Sequence, residues 1–149
     1  MVRCYDRLYE FQGYNYIGCD YSKEAFELYK KNYGKNITKY QEKLSNINLK
    51  DIELIVSFDV FEHMTDEQIE SFFIETREVD TYLLNISRQN GIPGHINLKD
   101  DSQWKSFFEK NGLQIDLDKT NLARETYLDI SYNPQDGWDK NIFVVVRSQ

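Results

Sequence analysis

Apolar residues along this chain switch repeatedly between helical spacing and short continuous runs. Val2, Tyr5, Leu8 and Tyr9 recur at helical spacing and predict a short amphipathic helix over Val2–Phe11, which Gly13 ends. Tyr14–Asp20 then reads as a strand. Ser22 suits a helix N-cap, with Glu24 in the first turn, Phe26, Tyr29 and Tyr33 on one face and Gly34 at the end. Ile37–Tyr40 is a weaker strand.

Asp51–Phe58 is the strongest run, nearly continuous in Ile, Leu and Val, the pattern of a strand buried on both faces. Thr65 with Gln68 predicts a capping box for a helix carrying Ile69, Phe72 and Phe73. Thr81–Ser87 is another apolar strand, and Arg88–Lys99, with Gly91, Pro93 and Gly94, is a loop. Asp100 and Gln103 cap a helix with Trp104, Phe107 and Phe108 on one side and Gly112 at its end. Leu113–Leu117 and Ile142–Val146 close the chain as two strands with no helix between them, separated by a long segment with a turn at Asn133–Gly137. This alternation predicts an α/β fold: a doubly wound, mostly parallel sheet with a C-terminal antiparallel edge.

Composition narrows the picture. The chain has 149 residues, 40% of them apolar, which suits a single folded domain over 1–149. The net charge of -7 argues against a nucleic-acid partner, and no apolar run is long enough to span a membrane. Cys4 and Cys19 lack CxxC spacing, so free thiols in a reducing cytoplasm are the simplest expectation.

Three stretches carry chemistry. Tyr14–Ser22 and Ile52–His63 each run a strand into acidic residues, Asp20 in the first and Asp59 and Glu62 in the second. Gly94-His95-Ile96-Asn97 precedes the Trp-bearing helix. His63 and His95 are the chain's two histidines, and both fall on loops after strands, the reactive rim of a parallel sheet. The i, i+3, i+4 spacing of Asp59, Glu62 and His63 would bring them to one side of a helical turn.

In order and spacing these stretches resemble class I S-adenosylmethionine-dependent methyltransferases, in particular their small-molecule and sugar branch. The resemblance covers nearly the whole chain and implies a Rossmann-like fold and S-adenosylmethionine as cofactor. It implies that Asp20 binds the cofactor ribose through a carboxylate at a strand end, and that Tyr21 packs on the ribose or adenine. Glu42 would accept from the adenine amino group, Leu44 would cover the ring, and Asp59 would supply the second carboxylate of the cofactor site. His63 and His95 would flank the substrate and serve as base. Some members hold a divalent metal on a Glu-x-x-Glu-His pattern, while many relatives carry Glu-His with no metal. This chain departs from the pattern at Asp59, and no metal is assigned. Cation ligand, substrate-facing base and plain structural role all stay open for Glu62, His63 and His95.

The seven glycines form no Gly-x-Gly-x-Gly turn, the feature that lets the backbone approach the methionine end of the cofactor in this family. The chain reads as an N-terminally truncated version of the fold. A fragment or mis-started frame lacking an N-terminal segment, a homodimer that fills the gap, or direct pairing of the flanking strands would each account for it. The expectation is a methyltransferase acting on a small molecule, sugar or glycan precursor, its cofactor binding weakened or lost without the turn. The alternative is a catalytically inactive methyltransferase-like module for binding or subunit pairing.

Overall fold

The structure, a computed structural model, describes residues 17–19, 22, 24, 27, 28, 31, 40, 41, 44–130 and 137–148. The chain divides into two compact units, Met1–Asn48 and Leu49–Gln149.

In the first unit β1 (Gly18–Cys19) pairs in parallel with β2 (Tyr40–Gln41), Gly18 opposite Tyr40. Glu24, Glu27, Leu28 and Lys31 are helical, and the Ser22 hydroxyl donates to the Glu24 carboxylate at 3.3 Å. A strand followed by helix and a second parallel strand is the order the sequence predicts. The expected helix over 2–11 lies outside the described residues, as do Asp20, Tyr21 and Glu42.

The second unit holds a four-stranded sheet in the order β3-β4-β6-β5. Its strands are β3 (Ile55–Phe58), β4 (Thr81–Asn85), β5 (Leu113–Ile115) and β6 (Ile142–Arg147). β3 and β4 are parallel, and β6 runs antiparallel to both β4 and β5. Three of the four strands therefore point one way, and the β6–β5 pair forms the antiparallel edge.

Local signals explain the helices. α1 (Asp66–Glu75) starts at a complete capping box: the Gln68 N–H donates to Thr65 Oγ1, and the Thr65 N–H donates to Gln68 Oε1 at 2.8 Å. α2 (Asp101–Lys110) repeats the device with Asp100 and Gln103 at 2.8 and 2.9 Å. Ile69 and Phe73 of α1 and Trp104 and Phe108 of α2 are buried in one core with Tyr82, Leu84 and Val145 of the sheet. Burying side chains of this size contributes about 1.5–3 kcal/mol each. The Tyr82 hydroxyl, inside this core, donates to the Thr76 carbonyl at 3.0 Å and accepts from Arg147 at 2.7 Å, so this hydroxyl is satisfied.

Two expectations are corrected. A helix, α3 (Leu117–Ile130), does separate the last two strands. Its inward stripe is Thr120, Ala123, Arg124 and Tyr127, while Leu117, Leu122 and Leu128 are exposed. Polar bonds replace an apolar face: the Val144 N–H donates to Thr120 Oγ1 at 2.9 Å, and Arg124 Nε donates to the Ile142 carbonyl at 3.0 Å. The helix also ends β5 early, because Asp116 accepts from the Lys119 N–H at 3.0 Å as an N-cap. The second correction concerns β3. It is half-buried with Val56 exposed, not buried on both faces; among the described residues it ends the strand order while β6 lies inside it.

Candidate functional site

The site is built on the turn after β3 and the loop after β4, both at the C-terminal ends of these parallel strands. β3 ends at Phe58, and Asp59 takes a left-handed backbone with φ 54°, which Asp tolerates better than most residues. Its N–H still donates to the Asn85 carbonyl at 2.9 Å, extending the contact with β4. A 3-10 turn, Phe61–His63, comes next. Phe61 anchors it, buried edge-on against Phe72 and Phe73 at 5.5 and 5.7 Å. With Phe61 fixed inward, Glu62 is also enclosed and His63 faces solvent.

Glu62 clasps the loop after β4 near both ends. Its Oε1 accepts from the Ser87 N–H at 3.3 Å, and its carbonyl accepts from the Ile96 and Asn97 N–H groups at 2.9 and 3.1 Å. Asn97, buried beside it, donates to the Met64 carbonyl at 3.0 Å and to Asp66 at 2.7 Å. These bonds hold the Gly94-His95 segment over the 3-10 turn.

The two histidines consequently meet, with ring centroids 4.8 Å apart and planes at 82°. His63 Nδ1 lies 2.9 Å from the Gly94 carbonyl, and His95 Nδ1 lies 3.0 Å from the Gln89 carbonyl. A carbonyl oxygen only accepts, so each Nδ1 carries a proton, and in the neutral form of either ring the lone pair falls on Nε2. Gly94 makes the first of these contacts by close approach. Its φ is +89°, and a Cβ there would stand 3.1 Å from His63 Nδ1.

Glu62 completes the group. It is fully enclosed, and burial pushes its carboxyl above the ordinary range, the Asp59 charge adding to this while N–H donors and His63 oppose it. Ligand-type atoms of Glu62, His63 and His95 all lie within 4.8 Å of one another. Asp59 is not among them, so the expected grouping of Asp59, Glu62 and His63 on one side is replaced by Glu62, His63 and His95. The physical reason is the turn itself. Asp59 is left-handed and precedes a 3-10 turn, so the α-helical i, i+3, i+4 geometry never forms.

Of the expected cofactor residues, Asp59 is half-buried at the end of β3 and Leu44 opens a 3-10 turn, Leu44–Asn46, in the first unit. Asp20, Tyr21 and Glu42 lie outside the described residues. Gly94, Gln89 and Asn97 support the site without being among the residues expected to act in it. The Pro93-Gly94-His95 run is the available signal for Gly94; the Gln89 carbonyl has none, because backbone acceptors leave no trace in residue type.

No helix among the described residues is long and apolar enough to cross a membrane. Among curated proteins no sequence matches this chain. A family model described as "Methyltransferase domain" matches residues 4–79, just over half of the 149 and inclusive of Asp20, Asp59, Glu62 and His63. The strand order, the acidic strand ends and that match agree, and the chain belongs to the class I S-adenosylmethionine-dependent methyltransferase family.

Proposed function

We propose that this chain transfers the methyl group of S-adenosylmethionine to a hydroxyl or amino group of a small molecule, sugar or glycan precursor. The observation that carries this reading is the paired histidines, each with Nδ1 turned to a carbonyl and Nε2 left to act on an acceptor. The acceptor heteroatom attacks the sulfonium methyl in line. A new O–CH3 or N–CH3 bond forms as the S–CH3 bond breaks, its electron pair stays on sulfur, and the acceptor loses a proton. The protein's part is to orient the partners and take charge of that proton, work suited to His63 and His95 on the rim. Asp20 would hold the ribose, with Tyr21, Glu42 and Leu44 around the adenine and Asp59 as the second carboxylate.

The net charge of -7 favours a small acceptor over nucleic acid, and two cysteines without CxxC spacing suit the cytoplasm. The second reading is a methyltransferase-like module that binds or pairs without catalysis, as one half of a homodimer or beside a further N-terminal segment. The observation favouring it is that none of the seven glycines falls in a Gly-x-Gly-x-Gly turn. Methyl-labelled S-adenosylmethionine incubated with the chain and a panel of sugars, nucleotide sugars and phenols separates the two. Label transfer that His95→Ala abolishes supports catalysis. Cofactor-independent binding with no transfer to any acceptor supports the module.

A further inference from the structure

We propose that Arg88 and Arg124, with Lys140 beside them, form a binding site for a phosphate-type dianion on the rim that carries the histidines. Both guanidiniums converge on one backbone atom. Arg88 Nη2 donates to the Lys140 carbonyl, and Arg124 Nη2 donates to the same oxygen at 3.3 Å. Two hydrogen bonds to one acceptor keep the donor atoms within about 6 Å of each other. The buried Phe143 ring fixes the pair, with Arg88 Cζ 5.5 Å and Arg124 Cζ 5.7 Å from its centroid. Arg124 is held again through Nε, which donates to the Ile142 carbonyl at 3.0 Å.

Charge is the second argument. The chain carries a net charge of -7, yet two like charges are brought together here. A third, Lys140, is exposed in the 3-10 turn Trp138–Asn141. Among the described residues one carboxylate, Asp101, forms an ion pair with this group, on Arg88. Asp100 feels the Arg88 charge but accepts from the Ser102 hydroxyl and the Gln103 N–H at the start of α2. Two of the three positive charges are left without a paired carboxylate, the complement of a phosphate dianion. Arg88 Nε is enclosed and has no acceptor among the described residues, so the carbonyl and the carboxylate do not satisfy its guanidinium. Guanidinium forks match phosphate oxygens. A ligand can reach the group, since Lys140 is exposed and the two arginines are half-buried.

Position ties the cluster to the candidate site. Asn85 pairs with Ile142, so the end of β4 and the start of antiparallel β6 open on the same rim. Arg88 lies between Ser87, whose N–H Glu62 holds, and Gln89, whose carbonyl accepts from His95. If the methyl-transfer reading holds, the dianion is the acceptor's own phosphate. The acceptor is then a phosphorylated sugar with a hydroxyl at His63 and His95. That role rests on the methyl-transfer reading; dianion binding itself does not.

The test is calorimetric titration of the full chain, without S-adenosylmethionine, using inorganic phosphate, glucose-1-phosphate and glucose as probes. Phosphate and glucose-1-phosphate should each bind one per chain, glucose-1-phosphate the more tightly, and glucose should not bind. Affinity should fall as salt rises. Arg124→Gln should weaken phosphate binding at least about tenfold. Lys140→Glu, at an exposed position, should do the same, and it keeps the test valid if Arg124→Gln, which loses two bonds to backbone carbonyls, fails to fold. Lys50→Glu changes the net charge equally but precedes β3, at the end of that strand away from the rim, and should leave affinity within about twofold. No saturable phosphate binding, unchanged affinity in Lys140→Glu, or an equal loss in Lys50→Glu would each overturn the proposal. Displacement of phosphate by S-adenosylhomocysteine would overturn it too, by putting the anion in the cofactor site. Phosphate binding that excludes glucose-1-phosphate supports the dianion site and removes its role in holding an acceptor. Because no methyl transfer is measured, failure here leaves the methyl-transfer reading standing, and failure of methyl transfer leaves the dianion result standing.

Discussion

His63 and His95 stand edge to face, ring centroids 4.8 Å apart, although one comes after β3 and the other after β4. Neither residue does this alone: the Glu62 carbonyl and carboxylate hold the His95 loop down on the turn that carries His63. If the pair acts on the acceptor, His63→Ala and His95→Ala should each lower methyl transfer by roughly 10²-fold or more while leaving S-adenosylhomocysteine binding within about twofold. Initial rates and calorimetric titration of the same preparations check this. A matching loss of cofactor affinity would instead put the histidines in the cofactor site.

Gly94 should resist substitution for two reasons at once. Its φ of +89° suits glycine, and a Cβ would press on His63 Nδ1 at 3.1 Å. Gly94→Ala should destabilise the chain by about 1–3 kcal/mol in urea unfolding and lower methyl transfer as well. Gly91 makes a useful control. Its φ is +80° but no atom lies within 4 Å of the added Cβ, so Gly91→Ala should carry backbone strain without the effect on transfer.

Acid should loosen the same region through Asp66. Burial works against its charge, but donors from Lys99 at 2.5 Å and Asn97 at 2.7 Å outweigh it and hold the carboxyl below its ordinary range. A group whose pKa is depressed by folding adds stability above its unfolded value and loses it as pH falls through the folded value. Stability should therefore drop below about pH 4, the ordinary carboxylate range, and Asp66→Asn should flatten part of that drop. Urea midpoints at neutral pH and near pH 3 measure it. An identical acid loss in Asp66→Asn would show that Asp66 has no share in it.

Much of this architecture is legible in residue order because local signals and packing agree. Thr65 with Gln68 and Asp100 with Gln103 announce their helices, and the aromatic residues inside those helices face the core they predict. α3 is illegible for the opposite reason. Its leucines face outward and its least exposed stripe is Thr120, Ala123, Arg124 and Tyr127, so hydrophobic periodicity points the wrong way. At the site, His63 and His95 are recognisable as rim residues from the strands that precede them. Their mutual contact is not, since it depends on backbone bonds from Glu62 and on the carbonyls of Gly94 and Gln89. Asp59 misleads because spacing assumes an α-helical turn, and its left-handed backbone breaks that assumption.

Cofactor use is tested most directly by calorimetric titration of the 149-residue chain with S-adenosylhomocysteine, alongside Asp20→Ala. The methyltransferase reading predicts saturable, one-to-one binding. Asp20→Ala should weaken it at least tenfold, since two ribose hydrogen bonds to a charged acceptor contribute about 2–4 kcal/mol together. No saturable binding up to about millimolar ligand (a Kd at about -4 kcal/mol), or equal affinity in Asp20→Ala, would contradict it.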